Sequence, residues 1–376
     1  MDFELSDIQK SVQQTFRKFV DEKVKPAAAE IDARKEFPRD LFLEVGKLGF
    51  FGMRYPEAAG GSGLDIISYC LAVMELARGS LSLAAACSMQ SLMATYFLYR
   101  FGDEEIKADY FTPALTGTKI GAICMTEPNA GSDLNGITTK AKVLDDGFVL
   151  SGQKTWVTSA RVADFFTVLA RTDTLDKLSI FFVPARLPGV HIGNNIDKLG
   201  VCGSVTNEVN FDEVKIPKNY LLGELGAGPK YLVEILAEIR IMTAALAIGV
   251  ATAAFQDALE FAKVRVQFGK PIGSFQAIKI KAADMAVQLE TAKQMLFYSA
   301  WLCDQKRPRQ KEASIVKLYA SECANAICDE ASRIMASYGY AMEYPMQRYW
   351  RDARFTLIGG GTSEILKISI AKELGL

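Results

Sequence analysis

The chain has 376 residues, 49% of them hydrophobic, and a formal net charge of −1. That length supports a large buried core, as one composite unit or two to three modules. The charge balance argues against nucleic acid or an anionic membrane as the main partner. The single histidine, His191, excludes a multi-histidine metal site. The seven cysteines are scattered without a CxxC pair, which points to reduced thiols in a cytoplasmic protein rather than a disulfide scaffold.

From the N-terminus, Ser6 followed by Gln9 reads as a capping box. Behind it Ile8, Val12, Phe16, Phe19 and Val20 recur at helical spacing and predict one apolar stripe. The chain opens on this helix signal without a secretory leader. Loops are expected at residues 37–40 and 60–63. Residues 68–97, rich in alanine, leucine and methionine, predict a buried helix pair. No apolar run of about 20 residues reads as a membrane span.

The texture changes near residue 120. Short runs at 120–126, 148–152, 165–170, 178–183 and 207–214 are rich in β-branched and aromatic residues, with Asp146-Gly147 as turn chemistry. From Gly228-Pro229, with proline at a favoured first helical position, amphipathic segments cover about 229–263, 275–305 and 309–337. A last helix follows Gly361. The expected domains are 1–119 (helical), 120–227 (β) and 228–376 (helical). No GxGxxG follows a strand, so nothing supports a Rossmann nicotinamide site.

Three segments carry chemistry. Met125-Thr126-Glu127-Pro128-Asn129-Ala130-Gly131-Ser132-Asp133 leaves a strand through small residues and exposes backbone N–H groups and hydroxyls to a polar planar ligand, unless it is a plain surface turn. Gly152-Gln153-Lys154-Thr155-Trp156-Val157-Thr158 sets an indole at a strand end, as cofactor platform or as core. Arg265-Val266-Gln267-Phe268-Gly269-Lys270-Pro271-Ile272, with Phe275-Gln276, places arginine beside a glycine turn that can take a pyrophosphate, or else is an exposed basic helix end. His191, in a loop entering a strand, reads as solvated or structural rather than as the base of a catalytic triad.

Together and in this order these segments resemble the acyl-CoA dehydrogenase family, over essentially the whole chain. Tyr344-Pro345, Arg351-Asp352-Ala353-Arg354 and Gly361-Thr362-Ser363-Glu364-Ile365 add to the likeness. The resemblance implies a multi-domain α+β fold: an N-terminal helical domain, a central β-barrel and a C-terminal four-helix bundle, assembled as a homotetramer with FAD between barrel and bundle. It implies cofactor contacts from Ile123, Cys124, Met125, Thr126, Gly131 and Ser132, from Trp156, Val157 and Thr158, from Arg265, Phe268 and Gln276, and from Thr362 and Ser363. On the substrate side it implies Ser132, Ser204, Arg240 and Gly361. The substrate would be an acyl-CoA or a carrier-protein acyl thioester, and the acceptor an electron-transferring flavoprotein.

The family removes a proton α to the thioester with a carboxylate base. By the resemblance that base precedes the Gly-Thr-Ser motif, where this chain has Gly360, or else stands at the position of Ile239. Glu238, rotated by about 100° on a helix, is the candidate displaced base. Glu364 is an alternative whose plain reading is a polar residue at the cofactor edge. Three consecutive glycines leave room for a bulkier acyl group. Cys202 and Val205 interrupt the family pattern around Ser204, Ala237 replaces an acidic residue, and residues 333–339 depart from the expected glutamine and paired glycines.

The leading expectation is an FAD-dependent oxidoreductase forming a C=C bond in an acyl thioester, with a non-standard base or a substrate that supplies its own acidity. A redox-neutral eliminase of the desulfinase type would be expected to carry an arginine within 82–92, and none is there. A non-enzymatic paralogue fits poorly with the near-neutral charge.

Overall fold

The computed structural model describes residues 4–376. Helix α1 (Asp7–Phe19) starts on the expected capping box: Ser6 Oγ accepts from Gln9 N at 3.2 Å, and Gln9 Oε1 accepts from Ser6 N at 2.9 Å. Phe16, Phe19 and Val20 are buried and Val12 packs at the edge of the core, but Ile8 is 60% exposed and lies outside the predicted stripe. Helices α2 (Lys25–Arg34) and α3 (Arg39–Lys47) follow. α4 (Ile66–Gly79) and α5 (Leu81–Ser88) are the buried pair, divided at Ser80, whose hydroxyl accepts from Leu83 N and so starts α5.

The chain leaves α5 through a π-helical turn, Met89–Ala94, before α6 (Tyr96–Phe101), α7 (Glu104–Ile106) and α8 (Thr112–Leu115). Such wide turns redirect side chains. Here Gln90 donates to the carbonyls of Ala114 and Lys119 at 3.0 and 2.9 Å and accepts from Gly121 N at 2.9 Å. It fastens the helical region to the first strand.

Strands β1 (Gly121–Cys124), β2 (Lys140–Val143), β3 (Gly147–Thr158), β4 (Phe165–Thr172), β5 (Lys177–Pro184), β6 (Val190–Asn195) and β7 (Thr206–Pro217) form one curled sheet, ordered β1-β4-β2-β3-β7-β6 with β5 on β4. β4 runs parallel to β1 and β2, and the remaining pairs are antiparallel. Phe148, Phe166, Phe181 and Phe211 fill its own core. β2 and the full length of β3 were not legible in sequence, because β2 alternates lysines with small apolar residues and β3 changes register twice against β7. His191 is an exposed residue of β6, in keeping with a solvated histidine.

The C-terminal region begins with α9 (Gly228–Val264), followed by a hairpin of β8 (Val266–Gln267) and β9 (Lys270–Pro271). α10 (Gln276–Asp304), α11 (Gln310–Met335), α12 (Ser337–Tyr340), α13 (Met346–Thr356) and α14 (Ser363–Glu373) complete it. α9 crosses α4 at close range: a Cβ at Gly249 would stand 2.5 Å from the Met74 carbonyl oxygen, so only glycine permits the approach. Residues 81–101 and 228–264 do have the length and apolar composition of a span, contrary to the sequence expectation. Most of each is buried inside the fold, 89% and 83% of its most apolar stretch, as befits core helices.

Candidate active site

Where β1 ends, the loop through Met125 and Thr126 is held by a buried ion pair. Glu127 Oε1 accepts from Lys154 Nζ at 2.8 Å and from Thr139 N at 2.9 Å, while Oε2 accepts from Thr138 N and Oγ1, both at 2.7 Å. Lys154 Nζ also donates to the Met125 carbonyl at 3.1 Å, and Thr155 N donates to Thr126 O at 2.9 Å. Burial pushes the Glu127 carboxyl up, but the bonds from Lys154, Thr139 and Thr138 outweigh it and hold the group near 2. Both side chains of the pair are almost fully buried, at 0% and 3% exposure. Both residues stand in the sequence motifs at 125–133 and 152–158, but nothing local in either marks them as partners.

The clamp sets the stage for its neighbours. Register slips in β3 between Lys154 and Val157, so Lys154 points inward while Trp156, at φ 57°, is 56% exposed. Val157 is buried and Thr158 is half-buried. Ile123 and Cys124 are buried in β1, Met125 and Thr126 half-buried, and Gly131 and Ser132 exposed on the loop. These residues lie at the ends of β1 and β3 and on the loop after β1, and Thr155 N on Thr126 O ties the two strand ends together.

A second cluster lies on the hairpin after α9. Arg265 lays its guanidinium over the Tyr338 ring at 5.2 Å, and Phe268, at φ 51°, is 92% exposed at the hairpin tip. Gln276 opens α10, a helix start with no side-chain cap, whose free N–H groups favour an anion. An exposed indole beside a rigid polar loop, and an aromatic tip beside an uncapped helix start, fit the ring and pyrophosphate of a flavin dinucleotide.

The third cluster is the turn 359–361 between α13 and α14. Gly360 adopts φ 73°, and a Cβ there would lie 2.8 Å from Thr243 Oγ1. Lys317 Nζ, fully buried, donates to the Gly361 carbonyl at 2.5 Å. Arg240 is 6% exposed and donates to Ser314 Oγ at 2.7 Å and Ser369 Oγ at 3.4 Å. Thr362 caps α14, and Ser363 Oγ donates to Glu322 at 2.7 Å, so both hydroxyls have internal partners. Glu364 is exposed. Thr243 and Lys317 carried no signal in sequence, since each reads as an ordinary helix position.

Glu238 faces elsewhere. It pairs with Arg54 and, at 3.6 Å, with Arg309, and it lines a cleft of about 440 Å³ together with Tyr96, Glu234 and Gln310. Ser204 is buried in a loop tied to α5 through Ser82 and to α13 through Asp352, and its carbonyl accepts from Lys198 at 2.9 Å. Ser132 stands on the exposed loop after β1.

Comparison with known proteins agrees with this arrangement. The models of the acyl-CoA dehydrogenase N-terminal, middle and C-terminal domains match residues 6–118, 122–214 and 226–375. The chain is 57% identical to benzylmalonyl-CoA dehydrogenase of Aromatoleum aromaticum over the full length of both. Its structure superposes on butyryl-CoA dehydrogenase from Megasphaera elsdenii with a TM-score of 0.97, at 37% identity and full coverage of both. It also matches a chain of the electron transferring flavoprotein structure from Acidaminococcus fermentans, with a TM-score of 0.96 at 35% identity, covering 100% of this chain and 99% of that one. The chain therefore belongs to the acyl-CoA dehydrogenase family of FAD-containing oxidoreductases.

Proposed function

We propose that this enzyme forms a C=C bond in a malonyl-type acyl-CoA, a thioester bearing a carboxylate on Cα, and that it does so without a protein base. The observation that carries the reading is Gly360, which has no side chain at the position where the family resemblance expects the base. The other family position is Ile239, and Glu238 is engaged by Arg54 and Arg309. The 57% identical relative bears the name of a benzylmalonyl-CoA dehydrogenase.

The chemistry of such a substrate removes the need for a base. R–CH2–CH(COO⁻)–CO–SCoA can yield R–CH=CH–CO–SCoA, CO2 and a hydride equivalent. The electron pair of the Cα–carboxylate bond becomes the new π bond, so atoms and charge balance with no proton to abstract. When bound, FAD supplies the acceptor for the hydride from Cβ.

The protein's own residues would bind and orient. Met125, Thr126, Trp156 and Thr158 would face the ring, with the Glu127–Lys154 clamp keeping that loop preorganised. Phe268 and Gln276, exposed in one chain, and the half-buried Arg265 would serve a dinucleotide shared with a neighbouring subunit. Exposed apolar side chains on the helices, such as Ile280, Val287 and Ile368, support a homotetramer. Electron-transferring flavoprotein is the proposed acceptor, given the likeness to the Acidaminococcus fermentans chain.

The test is anaerobic mixing of purified holoenzyme with benzylmalonyl-CoA, following flavin absorbance and product mass. Flavin bleaching with a product lighter by CO2 and two hydrogens is expected. Loss of two hydrogens alone would require a base and refute the base-free reading. Loss of CO2 with oxidised flavin would make the reaction redox-neutral.

A further inference from the structure

Two buried cations from different helices lie near one another, Lys317 on the glycine turn and Arg240 against α14, the helix that follows it. Arg240 and Thr243 are three residues apart on α9 and share a face. Thr243 Oγ1 marks the place of a Cβ at position 360, and Lys317, from α11, reaches the next carbonyl at 2.5 Å. Among the described residues neither Arg240 nor Lys317 has a carboxylate within ion-pair distance, and Arg240 Nε, fully buried, has no hydrogen-bond partner. The nearby acids are spent or distant: Glu322 takes the bond from Ser363, Glu364 is exposed at the start of α14, and Glu373 lies at its end.

Burying two like charges without a counter-ion is costly, and in native proteins such charges are normally paired. One carbonyl oxygen and two serine hydroxyls do not repay that cost. Burial, and then the neighbouring Arg240, push the Lys317 amine down to about 8. A carboxylate side chain at position 360 would supply the missing charge from within the protein. With glycine there, the balancing anion has to arrive from outside, in the space the glycines leave.

We propose that Arg240 and Lys317 form a buried cationic subsite that holds the α-carboxylate of the substrate and so selects 2-carboxyacyl thioesters; this rests on the malonyl-type reading above. The subsite determines specificity and position. It orients the departing carboxylate, and it disfavours thioesters that bring no anion to neutralise it.

The test compares two ligands of the holoenzyme, benzylmalonyl-CoA and 3-phenylpropionyl-CoA, which differ only in that carboxylate. On the unaltered enzyme, benzylmalonyl-CoA should bind more tightly, read from flavin spectral perturbation or from KM and competitive inhibition. Arg240→Gln and Lys317→Gln should each weaken benzylmalonyl-CoA by about tenfold to a hundredfold, the worth of a charge-assisted bond. Affinity for 3-phenylpropionyl-CoA should stay within about twofold, and Arg240→Lys should recover part of the loss. Equal affinities on the unaltered enzyme, or a parallel fall for both ligands in the variants, would overturn the subsite. If flavin is still reduced by benzylmalonyl-CoA in that case, the proposed reaction stands and only the subsite falls. If the unaltered enzyme neither binds nor is reduced by benzylmalonyl-CoA, both fall.

Discussion

Glu127→Gln keeps the shape of the side chain and removes the charge at the centre of the cofactor-loop clamp. In the native structure burial pushes the carboxyl up, but Lys154 and the two threonines hold it near 2, against an ordinary 4.5. At 1.36 kcal/mol per tenfold in acidity, the ionised group contributes about 3 kcal/mol. That agrees with the roughly 3–5 kcal/mol lost when one partner of a buried pair is removed. Lys154, stranded in a buried site, would shed its proton, which limits the cost. The sign follows from the depressed carboxyl: its contribution is present above pH 4.5 and is lost as pH falls toward 2. Thermal unfolding of the holoenzyme from neutral pH down through that range should show a lowered midpoint at neutral pH for the variant, with less acid sensitivity than the native protein. The loop carrying Met125 and Thr126 should also loosen, so FAD dissociates more readily in dialysis. A variant with native midpoint, native acid response and full flavin content would refute the clamp.

Glu238→Gln should leave the rate of flavin reduction by benzylmalonyl-CoA unchanged in rapid mixing, because the carboxylate serves Arg54 and Arg309; a large drop would reinstate it as the base. Gly360→Ala should cost about 1 kcal/mol or more, since a side chain at φ 73° meets Thr243 Oγ1, and a native melting midpoint would contradict that. Asp352, pushed up to about 6 chiefly by burial, contributes stability that is present below its ordinary 3.8 and lost as pH rises to about 6. Asp352→Asn should therefore flatten the melting midpoint across that window, while an unchanged profile would remove Asp352 as its source. Trp156→Ala should weaken FAD retention with little change in the apoprotein midpoint, the ring being more than half exposed; flavin release during gel filtration measures it.

Much of the fold was legible because its signals are local. The Ser6–Gln9 box, the apolar repeat behind it and the proline at the start of α9 are patterns over a few residues, and each marks a helix. The strand runs at 165–170 and 178–183 alternate too little to be solvent-facing, and both lie inside the sheet core. Less was legible where local composition misleads. Ile8 matches the stripe yet faces solvent, and α13, carrying Asp352, was read only as a family-like stretch because its arginines hide its buried face. The cofactor loop was found through its small residues, but not the acid and amine that hold it.

The helical, β and helical order of the three regions, the segments that mark the family and the lack of a carboxylate at position 360 could be read from the chain as written, because periodicity and residue identity need no neighbours. Which charges meet could not. Glu127 and Lys154 lie 27 residues apart, Arg54 finds Glu238 across two helical regions, and Arg240 and Lys317 come near one another from separate helices. Pairing and burial set the strength of a charge in a protein, and both are properties of the packed chain.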